Sequence, residues 1–504
     1  MLEDAAHFPG GHAAGVISPR NEAEVSAVVA AHRHVLPIGA QSSLTGGATP
    51  MGEVVLNLSR MNRILAVTGE SVRVEPGVTL AALQETLDRK GRYYPPAPTF
   101  NGATIGGTVA TNAAGAATFK YGSTREWVQR LSVVLASGEV IDLARGEVVA
   151  HPDGYFEIAG AAGVTRVPIP AYRMPDVPKR SAGYYAAFGM DLVDLFVGSE
   201  GTLGIVTEIT LNVIPRQASI CWALIPLSSE ETGLRVVTAL RDASRTTWRT
   251  MDPAGIDVSA IEHMDRRALE LVREEDRMER FGVALPHDTR LALLVQLELP
   301  AGTDEAGAYR EIGNALGLDA PDTPLVRFCR LLHEAGVLNH VEIAVPGDRA
   351  RAEQLFSLRE AVPAALNRRI GRLKQTVHPA IQKTAADMIV PFDCFEEMMA
   401  IYRRGFEARG LDYAVWGHIS DGNVHPNVVP RSIEDVHAGQ EAILEFGREV
   451  TRLGGCPLAE HGVGRSAVKQ RLLRNLYGDA GIDEMRAVKR ALDPQWKLAP
   501  GVLF

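Results

Sequence analysis

Residues 416–427, WGHISDGNVHPN, place two histidines on either side of an Asp-Gly turn signal. Both central positions of a type I′ turn need φ > 0, which Gly and Asp tolerate best, so Asp421-Gly422 is expected to close a two-residue hairpin. That register sets Ser420 opposite Asn423, Ile419 opposite Val424 and His418 opposite His425. Directly opposed residues of an antiparallel pair have Cβ atoms roughly 4.5–5.5 Å apart on one face. Two neutral imidazoles converging there begin a divalent-metal site. The run Ala459-Glu460-His461-Gly462-Val463-Gly464 offers a carboxylate and a further imidazole as a third ligand. Taken alone, a pair among 14 histidines serves surface or core filling more often than ligation, and what raises the metal reading is the company the pair keeps.

The elements that must position these groups belong to a long chain. At 504 residues it exceeds one core, and about 150 residues per domain suggests roughly three. Hydrophobic content of 46%, charged content of 22% and a net charge of −9 describe an ordinary globular protein with no general basic field, which disfavours nucleic acid. The four cysteines are scattered without a C-x-x-C pair, against an iron–sulfur cluster or a thiolate-held zinc. The first residues, MLEDAAHFPGGH, lack an apolar core, so no secretory signal is expected. No apolar run approaches the ~20 residues of a membrane helix. A cytoplasmic enzyme, peripheral to a membrane at most, is the expectation.

Residues 19–32 predict a helix capped by Asn21, with Glu22 and Glu24 in its first turn and Val25, Val28 and Val29 on one face. Strands are expected at 35–38, 53–58 and 71–75, and a capped amphipathic helix at 79–90. Residues 94–98 must be extended because of their prolines. Three stretches rich in Gly and small hydroxyl residues interrupt this pattern, at 39–47, 104–115 and 195–207. Such loops build no core and expose main-chain N–H groups, which suits the diphosphate of a large cofactor. None is a Rossmann or P-loop pattern: Gly198, Gly201 and Gly204 are spaced G-x-x-G-x-x-G, and no GK[ST] occurs.

The segments PIGAQSSLTGGATP, TIGGTVATNAAG with KYGSTREWV, DLFVGSEGTLGIVTE, GHISDGNVH and AEHGVGR together resemble the FAD-linked D-2-hydroxyacid dehydrogenases of the vanillyl-alcohol-oxidase flavoprotein superfamily. That group includes D-lactate dehydrogenases, the flavin subunit of glycolate oxidase and D-2-hydroxyglutarate dehydrogenase. The resemblance runs from about residue 19 to 501 and implies an α+β fold. A two-lobed FAD-binding domain of the PCMH type would occupy 1–215, with Pro215 near the boundary. A substrate or cap domain with an antiparallel sheet would follow over 216–450, and a C-terminal helical segment, 451–504, would return to the flavin. Residues 145–180 look like an insertion without assigned role, and 173–180 are expected to be exposed.

The resemblance implies that Ile38, Gly39, Ala40, Gln41, Ser42 and Ser43 wrap the FAD pyrophosphate. Thr104, Gly106, Gly107, Thr111 and Asn112 would lie along the isoalloxazine or ribityl side, and Glu200, Gly201, Gly204 and Ile205 near the adenosine. Relatives commonly carry Arg where this chain has Ile38, so main-chain amides must hold the phosphates here. Gln41, Ser42 and Ser43 replace the His used for covalent attachment, so noncovalent FAD is expected.

Oxidation of a 2-hydroxy acid requires loss of the C2 hydroxyl proton and transfer of the C2 hydride to flavin N5. Metal coordination lowers the alcohol pKa, and a base completes the deprotonation. His418, His425 and Glu460 are the expected ligands and His461 the base, because ligation occupies the lone pair a base needs; the reverse arrangement of Glu460 and His461 is the alternative. A nitrogen and oxygen donor set suits zinc first, and Mn or Fe as well. Arg359, Lys383 and Asn427 match substrate-binding positions, although Lys383 is offset from the usual lysine. The small-molecule 2-hydroxy acid and an electron acceptor (quinone, cytochrome or electron-transfer flavoprotein) are the expected partners, with a homodimer compatible. Two other readings compete. One is a non-redox enzyme of the alkylglycerone-phosphate synthase type, which relies on a histidine tract absent here; the other is a flavin-binding subunit of a larger oxidase complex, which would not need the hairpin histidines.

Overall fold

A computed structural model describes residues 2–504 except 97, 99, 162, 217, 218 and 277, and except the side chain of 279. The helix expected at 19–32 spans Glu22–Ala31; the Asn21 side chain accepts from Glu24 N at 2.9 Å, and Val25 and Val29 are buried. It leads into Val35–Ile38, the edge of a parallel three-stranded sheet whose other strands are Val54–Asn57, in the centre, and Gly15–Ile17. A second, antiparallel sheet orders Ile64–Val67, Ser71–Val74, Ile205–Asn212, Val128–Val134 and Val140–Ala144. The Thr79-capped helix Leu80–Asp88 belongs to the same N-terminal part of the chain.

The largest sheet has seven strands, in the order Glu342–Ala344, Ser219–Leu227, Leu291–Leu299, Val258–Asp265, Tyr413–His418, Asn423–Val428 and Met388–Ile389, all antiparallel. Its strands LALLVQLEL and SICWALIPL read as almost continuous apolar runs because both faces are covered. Leu293 and Val295 pack into one apolar cluster, while Ala292 and Leu294 face another built with the helix Arg349–Thr376. Pro215 still belongs to the first part, since Ile214–Pro215 pairs with Arg92–Tyr93. The chain end packs against the first sheet: Val35 N donates to Lys497 O at 2.9 Å and Ala499 N to Val35 O at 2.8 Å.

Three local expectations are corrected. The second Gly-rich stretch is no open loop, because residues Ile105–Thr111 form a helix in which Ile105 and Val109, one turn apart, are fully buried. Packing there overrides the poor helix propensity of Gly and Thr. The segment 173–180 is not uniformly exposed: Met174 and Val177 are buried and Lys179 is 0% exposed. The hairpin register also differs, and because it places the histidines it is described with the site. Among the described residues, no helix is long and apolar enough to cross a membrane.

Candidate active site

The strands Tyr413–His418 and Asn423–Val428 pair with His418 opposite Asn423 and Trp416 opposite His425. The connection is therefore four residues, a single helical turn at Ile419–Asp421 closed by Gly422 at φ 86°, in place of the two-residue turn. Tertiary contacts select this turn. Ser420 Oγ accepts from Ile261 N of the neighbouring strand at 3.1 Å, and Asp421 Oδ1 accepts from Asn423 N at 3.2 Å. The slip is two residues, and side chains alternate with a period of two, so both imidazoles stay on one face. Their ring centroids lie 5.6 Å apart with planes at 89°. Gly417, between Trp416 and His418, adopts φ +139°, and a Cβ there would lie 2.9 Å from Val424 Cα. A Gly417→Ala substitution is expected to destabilise the fold by about 1–3 kcal/mol, read as a lower denaturant midpoint together with a disturbed histidine pair.

Residues 456–461 are laid against the same sheet edge, with Cys456 N donating to Ile389 O at 2.8 Å and Ala459 N to Asp387 O at 3.0 Å. This docking brings Glu460 under the hairpin. Glu460 Oε1 lies 3.1 Å from His418 Nε2, 3.4 Å from His425 Nε2 and 3.7 Å from His461 Nε2. The three sequence-designated ligands and the designated base are thus brought together on one carboxylate oxygen. Among the described residues, the group whose ligand atoms all lie within 4.8 Å of one another is Asp387, His425, Glu460 and His461, which leaves out His418. Imidazole nitrogens and carboxylate oxygens without thiolate, buried except for the partly exposed His461, form a donor set that fits a borderline divalent cation.

Several residues of this centre carry no recognisable motif. Glu262, directly across the sheet from His418, lies 3.1 Å from its Nδ1 and pairs with Arg359 Nη2 at 3.1 Å. Asp387 accepts from Glu460 N at 2.8 Å and His461 N at 2.7 Å, and its carboxylate oxygens lie 3.5 Å from His425 Nδ1 and 3.4 Å from His461 Nδ1. Carboxylates behind the δ nitrogens leave the ε nitrogens facing Glu460, the usual means of orienting ligating imidazoles. Burial opposes charge on His418, but Glu262 and Glu460 override it and raise the ring to about 9, so a cation held at its Nε2 would have to displace that proton. Burial dominates at His461 and lowers it to about 3, so this ring is neutral. Asp387 is itself buried, yet the hydrogen bond from His425 and the charge of Lys469 hold it well below the usual carboxylate range. Lys179, on the segment expected to be exposed, reaches Glu460 Oε2 at 2.8 Å and Asp421 Oδ2 at 3.0 Å.

The histidine cluster opens into a cavity of about 720 Å³. Ile38, Gly39, Ala40, Gln41, Ser42, Ser43, Thr104, Gly106, Gly107, Thr111, Glu200, Gly201, Gly204 and Ile205 line it, as do Arg359, Lys383, Asn427, His418, His425, Glu460 and His461. Asn112 does not. It ends the helix Ile105–Thr111 at φ 47°, and its Oδ1 accepts from Ser123 Oγ and Arg125 N, a structural use of the side chain. The loops are bonded to one another: Glu200 accepts from Val463 N and Gly464 N at 2.8 and 2.9 Å, and Arg465 N donates to Thr45 O at 2.9 Å. Burial raises Glu200 to about 7, although both N–H groups favour its charged form.

The cavity fits a flavin nucleotide by two observations. Thr104 Oγ1 is buried without a partner, and a Cβ at Gly39 would meet it at 2.1 Å, so only glycine lets main chain pass here. Among the described residues, the N–H groups of Ala40, Ser42 and Leu44 have no protein acceptor, leaving donors for phosphate oxygens.

A parallel three-stranded sheet, a five-stranded sheet and a larger antiparallel sheet meeting at such a cavity define a flavin-dependent oxidase architecture. The chain belongs to the FAD linked oxidases: the C-terminal domain of that family matches residues 228–503, and an FAD binding domain matches residues 13–144. It is 29% identical to the glycolate oxidase subunit GlcD of Bacillus subtilis (strain 168), across 97% of this chain and 88% of that protein. A D-lactate dehydrogenase of Anaerostipes hadrus is 28% identical, across 93% of this chain and 83% of its own length. A D-2-hydroxyglutarate dehydrogenase of Xanthomonas citri pv. viticola is 29% identical, across 96% and 88%. The solved structure of an alkyldihydroxyacetonephosphate synthase superposes with a TM-score of 0.58 at 14% identity, across 96% of this chain and 76% of that one, a likeness of fold alone.

Proposed function

We propose that this chain is an FAD-dependent D-2-hydroxyacid dehydrogenase that forms the 2-oxo acid, with residues 1–215, 216–450 and 451–504 as its flavin, cap and returning segments. The observation that carries this reading is a single cavity lined by both the Gly-rich cofactor segments and the imidazoles gathered on Glu460. The similar proteins named above act, by name, on glycolate, D-lactate and D-2-hydroxyglutarate, all 2-hydroxy acids. Bound FAD supplies the acceptor for the C2 hydride, and a divalent cation, zinc first, at His418, His425 and Glu460 supplies the charge that acidifies the C2 hydroxyl. His461, neutral and half-buried on the cavity wall, takes the hydroxyl proton. Asn427 donates through Nδ2 to His425 O at 2.7 Å, which leaves its unpartnered Oδ1 to accept from substrate. Arg359 shares its guanidinium between Glu262 and the substrate carboxylate. Ile38 to Ser43 hold FAD without a covalent link, so denaturation frees the flavin. The enzyme works in the cytoplasm and passes electrons to a quinone, cytochrome or electron-transfer flavoprotein.

Lys383 supplies a second cation for the substrate. Burial, together with the charges of Lys469 and Arg359, lowers it to about 8. Its charge is present below that pH and lost above it, so substrate affinity falls as pH rises. KM is expected to climb by up to about tenfold per pH unit above 8, and Lys383→Arg to flatten that limb. The reading as a whole is tested by an anaerobic screen of D- and L-2-hydroxy acids against the holoenzyme. Bleaching of the flavin by a D-acid is expected; a flavin left oxidised by every D-acid would refute it.

A further inference from the structure

Lys179 is a cation of the centre that does not line the cavity, and it comes from the segment to which the sequence assigns no role. Its side chain is 0% exposed. Burying an ammonium is costly unless carboxylates surround it, and here the Nζ lies 2.8 Å from Glu460 Oε2, 3.0 Å from Asp421 Oδ2 and 3.2 Å from Asn423 Oδ1. The segment is fastened beside the site. Ser181 N donates to Leu458 O and Ala459 O at 3.1 and 2.9 Å, immediately before Glu460. Ser181 Oγ donates to Thr111 O at 2.9 Å, on a helix that lines the flavin cavity.

The two oxygens of Glu460 therefore have different neighbours. Oε2 faces the ammonium, and Oε1 faces the three imidazole ε nitrogens. A free carboxylate can embrace a cation with both oxygens, whereas one whose second oxygen is held by an ammonium offers a single oxygen. We infer that Lys179 is a positioning residue that holds Glu460 as a one-oxygen ligand turned toward His418 and His425, and so keeps a coordination place open for the substrate hydroxyl. This rests on the proposed cation site and extends it to the 173–180 segment, whose burial it explains. Asp421, expected only to form the turn, becomes the counter-charge that keeps Lys179 in place.

The test uses holoenzyme reconstituted with Co²⁺ and read by low-temperature EPR, to which oxidised flavin contributes nothing. Lys179→Met keeps most of the length of the side chain and removes its charge. With flavin content equal to wild type, the Co²⁺ spectrum is expected to change as Glu460 supplies its second oxygen. The same variant is expected to lose roughly 10–100-fold in kcat/KM, the usual cost of removing a group that orients a metal ligand. If that variant does not fold, Lys179→Met/Asp421→Asn removes the cation with one of its counter-charges and is expected to give the same spectral change. A spectrum and turnover identical to wild type in a folded Lys179 variant would overturn the inference while leaving the cation site intact. A wild-type Co²⁺ signal indifferent to His425→Ala would overturn the site itself, and this inference with it.

Discussion

A His461→Ala variant is expected to keep its flavin and lose turnover, by roughly 10²–10⁴-fold in kcat, the contribution of a positioned general base. The main chain at 461 is anchored independently of the ring, through His461 N to Asp387 Oδ2 at 2.7 Å, so the fold should survive the truncation. Burial lowers the imidazole to about 3, which keeps it neutral and able to accept a proton throughout the working range. So weak a base draws a proton only from a strongly acidified hydroxyl, and this requirement couples His461 to the adjoining cation site. Stopped-flow flavin reduction at saturating substrate isolates the step. Unchanged kcat in the variant would end the assignment of His461 as base.

The second large effect is expected on removing the cation. Lewis-acid polarisation of the hydroxyl contributes several kcal/mol, and each 1.36 kcal/mol is a factor of ten, so chelation should lower kcat on the order of 10³-fold. Flavin should stay bound, since the Gly-rich segments proposed to hold it belong to other loops of the cavity. Stoichiometric divalent metal should restore wild type. It should not restore His425→Ala, in which one of the imidazoles facing Glu460 Oε1 is gone. Metal analysis alongside the rates checks both halves, and a metal-free preparation of full activity would contradict them.

Local signals were legible wherever the physics is local. Asn21 and Thr79 cap the helices their types announce, and the Val and Leu runs at 35–38 and 71–74 form the expected strands. All four groups of the proposed catalytic centre and fourteen of the fifteen cofactor positions line one cavity. The exception, Asn112, shows the limit of a motif: its amide is taken by Ser123 and Arg125, which only the tertiary arrangement reveals. Asp-Gly suggested a two-residue turn, but the bond from Ile261 N to Ser420 comes from a strand about 160 positions earlier. Glu262, Asp387 and Lys179 were invisible for a related reason. Each is an ordinary charged residue in its own segment and acquires a role only through partners 36 to 281 positions away. The Pro- and Arg-rich composition of 173–180 reads as surface, and nothing local shows that Lys179 has two carboxylates to enter.

The most direct measurement is a single anaerobic mixing of a D-2-hydroxy acid with two preparations of the same holoenzyme, one metal-replete and one depleted, following the flavin's visible absorbance. Rapid bleaching in the first and slow bleaching in the second, reversed by adding back the divalent ion, is the expected result. Equal rates in the two preparations would contradict a cation at His418, His425 and Glu460 as the group that activates the substrate.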